Sequence, residues 1–143
     1  MAAESKATTV WTGDLPKGRG TTSVASGALP EIEVTWSART ERVANTTSPE
    51  ELLAAAHTSC FCMALSHELG EAGNAPERLE ASATVTFVPG EGVKSSRLVV
   101  RGRVPGIDQS AFEQAARGAG ENCPISQALK GNVEIDVEVT LEN

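Results

Sequence analysis

The sequence predicts an α+β domain with mainly antiparallel strands. Three observations carry that class. Residues 48–70, SPEELLAAAHTSCFCMALSHELG, form one long helical run. Residues 31–40, 79–88 and 133–139 alternate apolar with polar side chains at the two-residue period of a strand. The elements follow one another as βββ–α–ββ–α–α–β, with no repeat and no linker, so the chain of 143 residues reads as one domain, 1–143.

Taken in order, Val10 and Trp11 mark a first strand within 8–14. A Pro- and Gly-rich turn, LPKGRG, leads to a second strand over 21–24. Residues 31–40 read as a third strand, with Ile32, Val34 and Trp36 on one face. Asn45-Thr46-Thr47 connects to the long helix, which opens on Ser48 as N-cap, Pro49 at the first helical position and Glu51 completing a capping box. Its small and apolar residues lie all round, which predicts burial on most sides, and Gly70 is the expected left-handed stop. The run is too short, and too interrupted by His57 and Ser59, to span a bilayer. Residues 79–88 and 95–104 flank the turn Pro89-Gly90-Glu91-Gly92 as a hairpin. Asp108 caps a helix over 109–119 that Gly120 ends, and Cys123-Pro124 opens a short helix over 124–130. Val133, Ile135, Val137 and Val139 line the last strand.

Composition bounds the function. A net charge of −7 argues against non-specific nucleic-acid binding, which needs a basic surface. The aromatic fraction is 3% and Tyr is absent, so the core rests on Ala, Val, Leu and Ile. A second copy is the natural source of further burial, and a homodimer is expected. The N-terminal MAAESKATTV has neither the basic region nor the apolar run of a signal peptide, which points to the cytoplasm. Three cysteines, Cys60, Cys62 and Cys123, without a C-x-x-C do not suggest a disulfide framework or a thioredoxin-type pair.

The segment SPEELLAAAHTSCFCMALSHELGEAG, followed by ENCPISQALKGNVEIDVEV, resembles the OsmC/Ohr family of bacterial hydroperoxide-reducing proteins. WTGDLPKGRGTTSVASGAL extends the resemblance nearly end to end, and AAAH with GEAG places it nearer the OsmC branch. The resemblance implies an intertwined homodimer with a long central helix. It also implies a cysteine-based peroxidase that reduces organic hydroperoxides, and less readily hydrogen peroxide, in oxidative and osmotic stress defence. Carried over by motif, Cys60 would be the peroxidatic cysteine and Cys123 the resolving one. Glu50 matches the glutamate after the family's proline, and Arg39 the arginine before the helix. Arg19 lies near where the Ohr branch places its arginine and stays a second candidate. The resemblance further implies an external dithiol reductant such as a protein-bound dihydrolipoyl group, and no metal or organic cofactor.

The residue types suit that chemistry. A thiolate attacks a peroxide oxygen, becomes a sulfenic acid, and a second thiol condenses with it to a disulfide. At an ordinary pKa of about 8.5 only about 3% of a thiol is ionised at pH 7, so full ionisation gains roughly 30-fold. Positioning and a cation for the developing charge must supply the larger share. Each residue also has a plainer reading. Cysteines on an Ala-rich helix pack, Glu50 and Glu51 suit a helix N-terminus, Arg39 is a strand-end charge, and His57 is a hydrogen-bonded core residue or a base. His67 is expected in solvent at the helix end.

Two other functions are conceivable. His57, Cys60, Cys62 and Cys123 are zinc-ligand types, but Cys60 and Cys62 point about 200° apart on a helix and cannot share an ion. A stress-related binding module with an apolar pocket is the alternative without chemistry. Finally, Glu50 precedes Cys60 by about 15 Å of helix rise. If both serve one site, Glu50 and the nearby Arg39 must come from a second subunit.

Overall fold

The computed structural model describes residues Met1–Asn143. The chain divides into two compact units, Met1–Leu52 and Leu53–Asn143.

The first unit holds an antiparallel sheet, β1 (Ala7–Thr12), β2 (Arg19–Val24) and β3 (Ile32–Val34), in that order. Its centre carries polar cross-strand contacts. Thr9 and Thr22 are register partners, and their hydroxyls meet at 2.7 Å. Residues 31–40 do not continue as the expected strand. β3 ends at Val34, and a short helix, α1 (Trp36–Thr40), follows. The reason is local: Thr35 keeps an extended backbone while its Oγ1 accepts the Ala38 N–H at 3.0 Å, an N-cap in place of the next ladder bond.

The long helix is α2 (Pro49–Glu71). Ser48 Oγ accepts the Glu51 N–H at 3.1 Å, which is the first half of the expected capping box. The second half is replaced, because the Glu51 carboxylate takes the Thr47 hydroxyl at 2.6 Å. Gly70 is not the stop. Gly73, at φ +81°, ends the helix, with Gly73 N–H on Gly70 O at 3.0 Å and Asn74 N–H on Leu69 O at 2.8 Å, a Schellman closure.

The second unit carries β4 (Arg78–Val88), β5 (Gly92–Arg103) and β6 (Glu134–Leu141). β4 and β5 form the expected antiparallel hairpin. β6 lies on the far side of β5 and runs parallel to it, so the sheet is mixed, because α3 (Gln109–Asn122) and α4 (Pro124–Leu129) carry the chain back across it. The inward register Ala83–Leu98–Val137 and Ala81–Val100–Val139 supplies one wall of the core. Phe61, Leu65 and Leu69 of α2 and Phe112, Ala116 and Ala119 of α3 fill it. Gly102 is required there: a Cβ at this position would lie 2.3 Å from Phe112 Cζ.

The expected burial of α2 on most sides is not met within one chain. Its buried stripe is His57, Phe61, Leu65 and Leu69, at spacings of four, whereas Met63 on another face is 73% exposed. No helix is long and apolar enough to cross a membrane.

Candidate active site

α3 runs three residues past its expected end, through Gly120 to Asn122, and this extension sets the position of Cys123. Cys123 is the joint between two helices. Its N–H closes α3 on Ala119 O at 2.8 Å, and its carbonyl accepts the Gln127 N–H of α4 at 3.0 Å. Pro124 has no N–H to offer, so the next amides, those of Ile125 and Ser126, hydrogen-bond to the Cys123 sulfur. Cys60, half-buried on α2, brings its thiol against the Cys123 thiol and receives the Ile125 amide as well.

The two thiols sit in unequal fields. Burial pushes Cys60 above the ordinary cysteine value, and the Ile125 amide only partly opposes this. Burial also pushes Cys123 up. The Ser126 amide, the Cys60 thiol, the Ser126 hydroxyl and the Ile125 amide together outweigh it and bring Cys123 below the ordinary value. The pair therefore shares its first negative charge with Cys123 as the favoured holder and Cys60 as the donor of an S–H hydrogen bond. Exposure runs the other way: Cys123 is 0% exposed, while Cys60 is open in part.

His57 lies one turn before Cys60 and is fully buried. Its Nδ1 is 2.7 Å from Ser96 Oγ on β5, and its Nε2 is 2.8 Å from Ser126 Oγ on α4. Burial holds it below the ordinary histidine range, so it is neutral at pH 7. Ser96 and Ser126 were not singled out in the sequence. Ser96 breaks the apolar pattern of an inward strand face, and that was the available signal.

In the first unit, Arg39 stands in the last turn of α1 and grips Glu50. Nε donates to both carboxylate oxygens at 3.0 and 3.2 Å, and Nη2 donates to Oε1 at 2.8 Å. The guanidinium also lies 5.9 Å from the centre of the Trp36 ring. Glu50 is 6% exposed, and the fork supplies hydrogen bonds to both of its carboxylate oxygens. Arg39 is thus a helix residue in a bidentate pair, not a strand-end charge. Arg19 is largely exposed and reaches Glu33 only at 3.6 Å.

Of the four residues expected to act, the fold brings together Arg39 with Glu50 in one unit and Cys60 with Cys123 in the other. Cys62 faces a different way: its sulfur meets the Ala81 backbone, and it borders an open groove of about 570 Å³ with Met63, Ser66, His67 and Arg78. His67 is exposed, as expected.

Comparison with known proteins gives a consistent result. The sequence model of a family described as OsmC-like protein matches residues 42–138. Peroxiredoxin OsmC of Escherichia coli is 37% identical over 142 residues, covering 97% of this chain and 99% of the relative. Organic hydroperoxide resistance protein OhrA of Bacillus subtilis is 28% identical, over 85% of this chain and 89% of its own. The crystal structure of an organic hydroperoxide resistance protein from Elizabethkingia anophelis superposes with a TM-score of 0.78 at 24% identity, over 99% of both chains, and shares the fold.

Proposed function

The chain belongs to the OsmC family, and we propose that it is a thiol-dependent peroxidase reducing organic hydroperoxides through Cys60 and Cys123. The carrying observation is the contact between the half-buried Cys60 thiol and the buried Cys123 thiol beneath the Ile125 and Ser126 amides. Relatives named as a peroxiredoxin and as organic hydroperoxide resistance proteins support the reaction class.

Cys60 is the nucleophile because peroxide can reach it, and Cys123 takes its proton across the thiol–thiol hydrogen bond. The Cys60 thiolate attacks the distal peroxide oxygen, the O–O bond breaks, and Cys60 becomes a sulfenic acid while the alkoxide leaves and takes up a proton. Cys123 then attacks that sulfur, water leaves, and a Cys60–Cys123 disulfide remains. A dithiol of the dihydrolipoyl type reduces it, being oxidised to its own disulfide. Organic hydroperoxides are the preferred substrates, hydrogen peroxide a poorer one.

The working form is a homodimer, and the chain acts as a single OsmC-like domain, in the cytoplasm, in defence against oxidative and osmotic stress. The exposed Met63 face of α2 supports a partner on that side. Cys60 follows Glu50 by ten positions of one continuous helix, about 15 Å of rise, so Arg39 and Glu50 serve the thiols of the other subunit. There the Arg39 guanidinium stabilises the attacking thiolate and the departing oxygen.

Thiol titration before and after one equivalent of an alkyl hydroperoxide per subunit tests the reading. Two thiols are lost together in the unaltered chain. Cys60→Ser abolishes turnover, and Cys123→Ser consumes one equivalent and stalls as a sulfenic acid. A non-catalytic binding module would keep all three thiols.

A further inference from the structure

We infer that His57 is a positioning residue for the thiol chemistry, acting through Ser126 to hold a hydroxyl donor on the Cys123 sulfur. The inference rests on the peroxidase reading and adds a component to it.

The geometry is a chain of four polar groups closed inside the second unit. Ser96 Oγ meets His57 Nδ1 at 2.7 Å, His57 Nε2 meets Ser126 Oγ at 2.8 Å, and the Ser126 hydroxyl hydrogen-bonds to the Cys123 sulfur. His57 and Ser96 are 0% exposed and Ser126 is 3% exposed, so water does not substitute for any link. A neutral imidazole has one donor and one acceptor nitrogen. When Cys123 is anionic, Ser126 must donate to it. Ser126 then accepts from Nε2–H, and Nδ1 accepts from Ser96. When Cys123 carries the proton received from Cys60, its S–H can donate to the Ser126 oxygen, where Nε2–H still donates. The histidine keeps its tautomer and its charge. The serine hydroxyl is thus a donor when the sulfur is charged and an acceptor when it is not.

The groups facing this chain are few. Cys60 of α2 faces Cys123, and the Ile125 and Ser126 amides of α4 point at its sulfur. From β5 the facing group is the Ser96 hydroxyl. No carboxylate or basic side chain is hydrogen-bonded or ion-paired to any member. The buried and neutral state of His57 suits a fixed hydrogen-bond donor to Ser126 and not a general base that must take on a charge. The consequence for the reaction lies at Cys123: a stabilised thiolate leaves readily when an external thiolate attacks Cys60 in the disulfide.

The test uses the full-length Cys60→Ser/Cys62→Ala chain, in which thiolate absorbance near 240 nm reports Cys123 alone. Histidine labelled with ¹⁵N is observed in the same samples, with exposed His67 as an internal reference. The His57 Nε2 signal shifts at the Cys123 midpoint while the ring stays neutral; a flat signal through that midpoint overturns the coupling. Ser126→Ala and His57→Leu each raise the midpoint by about one unit, a tenfold change in proton affinity. The double variant goes no further than the larger single effect, and His57→Gln, whose amide keeps a donor near the Nε2 position, stays near the parent. Additive effects, or an unmoved midpoint in His57→Leu, overturn it. Should His57→Leu not fold, the spectra of the histidine-containing chain decide. Turnover of alkyl hydroperoxide by the unaltered chain is measured separately. Its absence would sink the peroxidase reading and leave the coupling of His57 to Cys123 measurable.

Discussion

Arg39 holds Glu50 by a three-bond fork at 2.8 to 3.2 Å, and the carboxylate it holds is 6% exposed. A buried carboxylate without its cation is costly, so Arg39→Ala should destabilise the chain by about 2 kcal/mol, discounted for the partly open arginine. Adding Glu50→Gln should recover part of that loss. Lysine cannot reproduce the fork, so Arg39→Lys should lower kcat/KM by on the order of 10²-fold while leaving the fold intact. Steady-state kinetics with urea titrations separate the two effects; full activity in Arg39→Lys would remove the arginine from the site.

Sharing between subunits has its own signature. Arg39→Ala and Cys60→Ser chains, each inactive, should regain activity when unfolded together and refolded as a mixture. One of the two sites in each heterodimer is then intact, and the mixture should approach a quarter of the parent rate, since about half the dimers are mixed. No recovery in a verified heterodimer would place Arg39 with its own chain's thiol.

Accessibility orders the thiols. In the folded, reduced chain, iodoacetamide should modify Cys60 and Cys62 well before Cys123, which is 0% exposed. Mass spectrometry of peptides from timed samples reads this order. Cys62→Ala should keep full activity and cost about 1 kcal/mol, because its sulfur meets the Ala81 backbone and not the pair.

His57 couples stability to pH. Its folded pKa lies below the ordinary 6.5 because burial opposes the charged ring. Below pH 6.5 the unfolded chain therefore binds a proton that the folded chain refuses. Stability is full above 6.5 and falls as pH drops through it, with a slope of at most about 1.4 kcal/mol per unit. Urea titrations between pH 5 and 8 should show this slope in the parent and a flatter one in His57→Gln. Equal slopes would mean that another group carries the dependence.

Gly102 tests the core that supports α3. With a Cβ 2.3 Å from Phe112 Cζ, Gly102→Ala should cost about 1–3 kcal/mol through overpacking. Shortening the neighbour with Phe112→Leu should relieve part of it. Thermal unfolding of both single variants and the double gives the coupling; additive losses would show that the two positions do not meet.

Which parts of this protein were legible in the sequence follows from the range of the forces involved. The long helix, the 79–88 and 95–104 hairpin and the Asp108 cap rest on neighbours within a few residues, and their signals were local. The family resemblance named Cys60, Cys123, Arg39 and Glu50 by motif. Local signals failed where a tertiary contact or a competing cap took over. Thr35 turned the end of an alternating run into α1, Gly73 displaced Gly70 as the stop, and α3 ran through Gly120. The parallel seat of β6 beside β5 is a matter of how helices cross a sheet, which alternation alone does not encode. Residue types and local pattern alone put the two thiols and Glu50 on or beside their helices, but put Arg39 on a strand where it stands in α1. That Cys123 lies under two amides and a serine hydroxyl, and that this serine is tied to His57, sixty-nine residues away, came from the folded arrangement alone. Hydrogen bonds and desolvation act over a few ångströms of space, and the fold alone sets those distances.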